Sequence, residues 1–338
     1  MGKAGLQIPD IKKITKLILG KKWAIASQLL SEFTSPIRFE IDEVGSQIPF
    51  TTVEWSIREA GISSIRFNKM MPKDRLQFFV TRLIFLLPLL KDFHQSIYYK
   101  KGSAIINLDD SADAPGISFC SNRSDSILIP DTDFLQSRGY ASSRKHFRRH
   151  CIPWGSRLPL VFWRGSTTGA RVDGSWESLP RLNLCRIANQ EAIKNKFDIG
   201  VSSAAQITRM EEKEIREAGY FKSFFPILSS NQYRYQIDID GNTNAWAALF
   251  QKLLSGSVVL KVDSPHGFRQ WYYDDLIPWE HFIPIKSDMT DLSEKVEWAF
   301  HHENEAKAIG TRGSDLAYRL SYEREHDRAL LNIRGALS

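Results

Sequence analysis

Leu160-Val161-Phe162-Trp163-Arg164-Gly165-Ser166-Thr167-Thr168-Gly169-Ala170-Arg171 is the stretch around which this 338-residue chain is organised. Its first four residues are apolar, as in a strand buried on both faces. They give way to glycines and hydroxyls flanked by two arginines. A buried strand ending in such a turn delivers its carboxyl end to a crevice. Gly165 and Gly169 let the backbone approach a ligand closely or take φ > 0. Ser166, Thr167 and Thr168 offer hydroxyls, and free backbone amides can point at an anion. Arg164 supplies a planar fork of donors that suits phosphate oxygens. The plainer reading is a strand followed by a surface turn with a snorkelling arginine, and the spacing is not that of a P-loop. On this stretch alone the two readings stand level.

A second stretch, residues 233–264, reads YRYQIDIDGNTNAWAALFQKLLSGSVVLKVDS. A strand-like run leads into Gly241-Asn242-Thr243-Asn244, then an amphipathic helix of about three turns. A Ser-Gly-Ser break and the apolar strand Val258-Val259-Leu260 follow. Taken with WRGSTTG upstream and PWEHFIPIKSDMTDLSEKVEWA over residues 278–299, the order and spacing of motifs resemble glycosyltransferase family 90, over residues 107–299. That family includes capsule-associated proteins, protein O-glucosyl- and O-xylosyltransferases and bacterial lipopolysaccharide glycosyltransferases; the last branch is the nearest in pattern. The resemblance implies an α/β fold of GT-B type, two Rossmann-like domains facing a cleft. Ligands in such folds sit at the carboxyl ends of the strands.

The chain holds 45 Lys and Arg against 39 Asp and Glu, a formal charge of +6, with 42% hydrophobic and 25% charged residues. That is an ordinary globular composition, with length for two cores. The mild positive charge suits a nucleotide-sugar, an anionic acceptor or an acidic membrane surface, and it is too weak to imply nucleic acid. Cys120, Cys151 and Cys185 are far apart, with neither CxxC nor zinc spacing, which argues for structural thiols in a reducing compartment. The first 26 residues carry no apolar core of signal-peptide length, and Leu6 stands where a myristoylation signal wants Ser or Thr. The expected location is cytoplasmic, with peripheral contact on the inner face of the membrane as an extension. For the basic amphipathic pattern over residues 1–30, a helix packed on the protein with a solvated lysine face is preferred over a membrane-surface helix.

Alternating runs at residues 37–41, 51–57 and 63–67 predict strands, residues 74–94 a long helix, and residues 98–108 a strand ending in Asp109-Asp110. A basic segment, residues 138–157, reads either as a lip for an anionic acceptor or as a solvated helix face. Cys151-Ile152-Pro153-Trp154-Gly155 interrupts it and sets the expected division: an acceptor-side domain over 1–155, a nucleotide-sugar domain over 156–300 and a helical tail over 301–338. Strands at 198–201, 229–240 and 258–262 and helices at 182–195, 210–218 and 245–254 complete the alternation.

Transfer of a sugar with inversion needs a base for the acceptor hydroxyl and positive charge or dipoles for the leaving diphosphate. The resemblance puts the base in an Asn-x-x-Asp segment after a strand. Asn107-Leu108-Asp109-Asp110 matches it and makes Asp110 the candidate, with Asp109 as fallback; the plain alternative is a pair of loop-capping aspartates. The diphosphate falls to Arg164, with Gly165, Ser166 and Thr168 beside it. The Gly241, Asn242, Thr243 and Asn244 turn opens a helix whose amides and dipole favour phosphate. The family's eukaryotic members carry an arginine early in that helix, where this chain has Trp246-Ala247-Ala248. Lys252, Arg171 and Arg181 are the substitutes for it, in no set order. Asp238-Ile239-Asp240 is a DxD, a metal signature in the other major glycosyltransferase fold, but family 90 implies no metal or other cofactor. The expected reaction is transfer from a UDP-sugar to a lipopolysaccharide-type or related glycan acceptor. The alternatives are a non-catalytic phosphoglycan-binding module and a protein O-glycosyltransferase.

Overall fold

The structure is a computed structural model that describes residues 8–45, 47–59, 61–190 and 193–338. The chain divides into two compact units: Tyr140–Ser321 forms one, and the residues before and after it form the other. The break therefore falls earlier than the expected 155/156, and the expected tail over 301–338 is shared out between the units.

In the first unit, α1 (Ile11–Leu19) and α2 (Trp23–Thr34) replace the single expected N-terminal helix. Residues 1–7 of that expectation lie outside the described residues. Asp10 caps α1 by accepting from the Lys13 amide at 3.0 Å. The helix turns Ile14 and Ile18 inward and leaves Lys12, Lys13 and Lys16 exposed, a helix packed on the protein with a solvated lysine face. Strands β1 (Arg38–Val44), β2 (Thr52–Glu59), β3 (Ile62–Asn68) and β4 (Gly102–Asn107) precede the short β5 (Gly116–Ser118), β6 (Cys120–Ser121) and β7 (Ser126–Leu128). Six of them form one sheet in the order β1-β3-β2-β4-β5-β7. Only two residues separate β2 from β3, too few for a crossover, so the two pair as an antiparallel hairpin. This hairpin makes the sheet mixed, where a Rossmann-like half would be parallel throughout. The long helix α3 (Leu76–Gln95) buries Phe79, Leu83, Leu87, Leu90 and Phe93, and Trp55 of β2 meets Phe93 edge to face. The short α4 (Thr132–Gln136) follows β7.

The second unit begins with α5 (Ala141–Arg149). Its strands are β8 (Leu158–Ser166), β9 (Phe197–Ser203), β10 (Tyr233–Asp238), β11 (Val258–Val262), β12 (Arg269–Gln270) and β13 (Ile283–Ile285). Helices α6 (Pro180–Ala188), α7 (Arg209–Glu217), α8 (Ala247–Leu254), α9 (Leu292–His301) and α10 (Glu303–Arg319) alternate with them. Five strands make a sheet in the order β13-β11-β10-β8-β9, and every pair in it is parallel. This is the doubly wound arrangement expected of the nucleotide-sugar half. Strands buried on both faces read as continuous apolar runs, which is why β8 and β11 were legible. Val161, Trp163, Tyr235, Ile237, Val258 and Leu260 fill one core layer with α6 and α9. The chain leaves β8 in one direction for β9 and returns past it to β10, so the topological switch lies between β8 and β10. Last, α11 (Tyr322–Ala336) belongs to the first unit. Among the described residues, no helix is long and apolar enough to cross a membrane.

Candidate functional site

The carboxyl ends of β8 and β10, on either side of the switch, converge on Arg181 of α6. Its Nη1 donates to Thr168 Oγ1 at 2.7 Å and to Ser166 Oγ at 3.2 Å. Its Nε donates to the Asp240 carbonyl at 3.0 Å, and Nη2 to that of Ile239 at 3.3 Å. Ser166 and Thr168 hydroxyls lie 3.1 Å apart. Thr167, fully buried between them, locks the turn by donating to the Ala205 carbonyl at 2.6 Å and accepting from its amide at 2.8 Å.

Two glycines make the close approach possible. A Cβ on Gly241 would stand 2.8 Å from Thr168 Oγ1 and 3.0 Å from Arg181 Nη2. On Gly165 it would stand 2.5 Å from the Trp163 ring, which lies under the Arg181 guanidinium with 5.7 Å from Cζ to the centroid. Trp163 is 3% exposed and has no room to yield. Gly165→Ala is therefore expected to destabilise by about 1–3 kcal/mol through overpacking, measured as the shift in urea unfolding midpoint.

The other cations proposed for the diphosphate are placed differently. Arg164 points to the opposite face of β8 from Trp163. Its Nη2 donates to Asp198 Oδ1 at 2.6 Å, and its Nη1 to the carbonyls of Asp198 at 2.8 Å and Trp163 at 2.9 Å. Burial raises the Asp198 carboxyl, but hydrogen bonds from Tyr233 and Arg164 outweigh it and hold the group below the usual carboxylate range. Arg164 thus ties β8 to β9, and through Asp198 to Tyr233 of β10. Arg171 faces both Glu211 oxygens and also donates to the Gly174 carbonyl at 2.9 Å. Its guanidinium, with the capping interactions of Thr208, holds Glu211 down to about 2. Lys252 Nζ donates to Asp238 Oδ1 at 2.7 Å, with Lys252 6% exposed and Asp238 fully buried. Only Arg181 of these four has hydroxyls and carbonyls, and no carboxylate, as its partners among the described residues. The first pattern that could have singled it out, Pro180-Arg181 opening a helix after the WRGSTTG turn, is common and uninformative on its own.

Downstream of β10, Asp240, Gly241, Asn242, Thr243 and Asn244 lead into α8. Trp246, just before the helix, is held at φ 48° and ψ −133°, a strained conformation for a bulky residue. Asp240 and Thr243 are 7% and 4% exposed, yet among the described residues neither Asp240 carboxylate oxygen nor the Thr243 hydroxyl has a hydrogen-bond partner. Burial pushes the Asp240 carboxyl up to about 6, against the pull of the Ser264 hydroxyl, Lys261 and Arg181 nearby.

In the first unit, Asn107 at the end of β4 builds the loop that carries the acids. Its amide donates to the Ala114 carbonyl at 3.0 Å and its oxygen accepts from the Asp113 and Ala114 amides. Asp109 is held through both oxygens by Arg75. Asp110 meets Arg82 through Oδ1 alone, at 2.7 Å, and keeps 35% of its side chain exposed. The buried Arg82 also donates to the Leu108 carbonyl at 2.9 Å, fixing the loop from below.

A model of glycosyl transferase family 90 matches residues 102–324, well over half of the chain. The chain belongs to that family. This family 90 chain is 28% identical over 300 residues to human protein O-glucosyltransferase 3, covering 86% of itself and 54% of that relative. To zebrafish (Danio rerio) protein O-glucosyltransferase 2 it is 32% identical over 215 residues, covering 60% of itself and 39% of the relative. It thus spans about half, or less, of the curated relatives' length. Among solved structures, the pneumococcal O-GlcNAc transferase GtfA in complex with UDP and GlcNAc is 12% identical over 54% of this chain and 37% of that one. Its TM-score is 0.33, too slight a likeness to bear on the site.

Proposed function

We propose that this family 90 chain is an inverting glycosyltransferase that moves a sugar from a UDP-sugar to an acceptor hydroxyl without a metal. Asp110 is the base, one carboxylate oxygen being held by Arg82 and the other left for the acceptor proton. Asp109 is the weaker candidate, because Arg75 occupies both its oxygens. The diphosphate lies at Arg181, Ser166 and Thr168, against the Gly241–Asn244 turn and the first amides of α8. The observation that carries this reading is the Arg181 fork: an arginine with no carboxylate partner among the described residues, at the switch point of a parallel sheet, where ligands of such folds bind. Metal independence is supported by Asp238, which is fully buried and held by Lys252, so the DxD does not present two carboxylates to a bridging cation.

A lipopolysaccharide or related glycan is the acceptor we favour. The exposed Lys145, Arg148, Arg149 and His150 of and after α5 support a phosphorylated acceptor, and the exposed Lys12, Lys13, Lys16, Lys21 and Lys22 support an inner-face membrane location. The relatives' names favour the second reading, a protein hydroxyl. Release of UDP with a lipopolysaccharide core, but not with folded protein acceptors, would decide for the first.

Calorimetry with UDP in EDTA tests the donor site. Arg181→Ala is expected to weaken binding at least tenfold, about 1.4 kcal/mol. Arg164→Ala is expected instead to leave Asp198 short of one of its partners and to lower stability, with UDP affinity changed less than threefold in the folded protein. Equal affinity of wild type and Arg181→Ala would remove the proposed diphosphate site.

A further inference from the structure

We propose that Asp240, together with Thr243, forms a subsite that reads a vicinal diol of the donor; this rests on the UDP-sugar reading above. Buried polar groups in folded proteins are nearly always hydrogen-bonded, and an unpaired buried carboxylate is the costliest exception. Here three polar atoms of one turn, the two Asp240 oxygens and the Thr243 hydroxyl, are buried and make no hydrogen bond among the described residues; Ser264, Lys261 and Arg181 stand near Asp240 without closing one to it. What completes them is a ligand. A carboxylate only accepts, so its partner must bring donors. A phosphate is excluded by charge and by having none to give. Two adjacent hydroxyls on a ring match two carboxylate oxygens, and a threonine hydroxyl serves either as donor or acceptor.

Position agrees with chemistry. Asp240 immediately precedes Gly241, the residue with no room for a Cβ beside Arg181 and Thr168. Its own carbonyl receives the Arg181 Nε. A diphosphate at Arg181 therefore has its attached rings next to Asp240. In a nucleoside diphosphate sugar two rings flank the diphosphate, the ribose and the transferred sugar, and both carry diols. A metal ion fits the turn poorly: Asp238 is spent on Lys252, and the described residues hold no group of three His, Cys, Asp or Glu suited to one.

Calorimetry in EDTA with UDP, 2′-deoxy-UDP and UDP-glucose, on wild type, Asp240→Asn and Thr243→Val, tests the subsite. If the diol is the ribose, wild type prefers UDP to 2′-deoxy-UDP at least tenfold. Asp240→Asn then shrinks that ratio below threefold by weakening UDP and UDP-glucose while sparing 2′-deoxy-UDP. If the diol is on the transferred sugar, both nucleotides bind wild type and variant alike, and Asp240→Asn weakens UDP-glucose at least tenfold. Thr243→Val moves the same ratio in the same direction by a smaller factor. Asp240→Asn is also expected to melt no lower than wild type, since a neutral amide costs less to bury. Uniform weakening of all three ligands, no change in any, or a lowered melting temperature each overturn the proposal. Wild type that binds none of the three defeats the UDP-sugar reading itself, a result visible before any variant is made.

Discussion

Asp110→Asn is expected to lower the turnover number by between about 10² and 10⁴ while donor affinity stays within twofold of wild type. General base catalysis contributes on that order, and the amide cannot take the acceptor proton. The substitution keeps the shape of the side chain and an oxygen for Arg82, so the loop around Asn107 should hold. A base acts on the transfer step and not on nucleotide binding, so the loss should fall on kcat and kcat/KM together. Single-turnover rates with a saturating donor separate the two. Asp109→Asn provides the contrast. It loosens the bidentate contact with Arg75 and is expected to cost less than tenfold in rate. If the two variants are equally slow, or if Asp110→Asn retains most of its turnover, Asp110 is not the base.

The other large effect is on stability. Lys252→Ala removes the only cation that, among the described residues, is paired with Asp238, a carboxylate with no exposure at all. Breaking a buried ion pair from one side costs about 3–5 kcal/mol, because a buried charge is left uncompensated. Pairing Lys252→Met with Asp238→Asn should recover most of that loss, since neither residue then leaves a charge behind. Urea unfolding of the two variants measures it. Lys252→Ala should leave UDP affinity within threefold of wild type wherever the protein is still folded, because its ammonium is turned to Asp238 and not to a ligand. A tenfold loss of UDP affinity without loss of stability would instead make Lys252 the phosphate cation.

How far the chain could be read in advance depended on where its information was local. The apolar runs of β8 and β11, and the helix between β10 and β11, are set by periodicity over a few residues, and they stand where the pattern placed them. The nature of the first sheet was harder. Strands β2 and β3 read correctly as strands, but whether they cross over or fold back depends on a two-residue connection, not on their own alternation. The site divides in the same way. The proposed base, Asp110, and the proposed Ser166 and Thr168 hydroxyls come from the motifs of the family resemblance. The choice among arginines does not, because Arg164, Arg171 and Arg181 are alike in sequence and differ only in what the fold sets opposite each. Asp198 and Glu211, 34 and 40 residues downstream of their partners, claim the first two. The unit boundary was illegible for the same reason: nothing local to residues 322–338 says that this helix packs with the chain's beginning.

That returning helix bears on the order in which the protein assembles. The first unit is interrupted at Gly139 and resumed at Tyr322, and a Cβ on Gly139 would meet Tyr322 atoms at 3.0–3.2 Å, so the two ends of the interruption touch. Closing an unstructured loop of such a length costs on the order of 5 kcal/mol of chain entropy beyond the constant for any loop. The second unit supplies a way round that cost. Arg144, at the start of its chain, donates to the carbonyls of Tyr318 at 3.2 Å and Leu320 at 2.7 Å, near its end. Once folded, it holds its own two termini together and presents Gly139 and Tyr322 as near neighbours. Folding of the inserted unit ahead of the outer one is the order in which this loop is closed at the least cost in chain entropy.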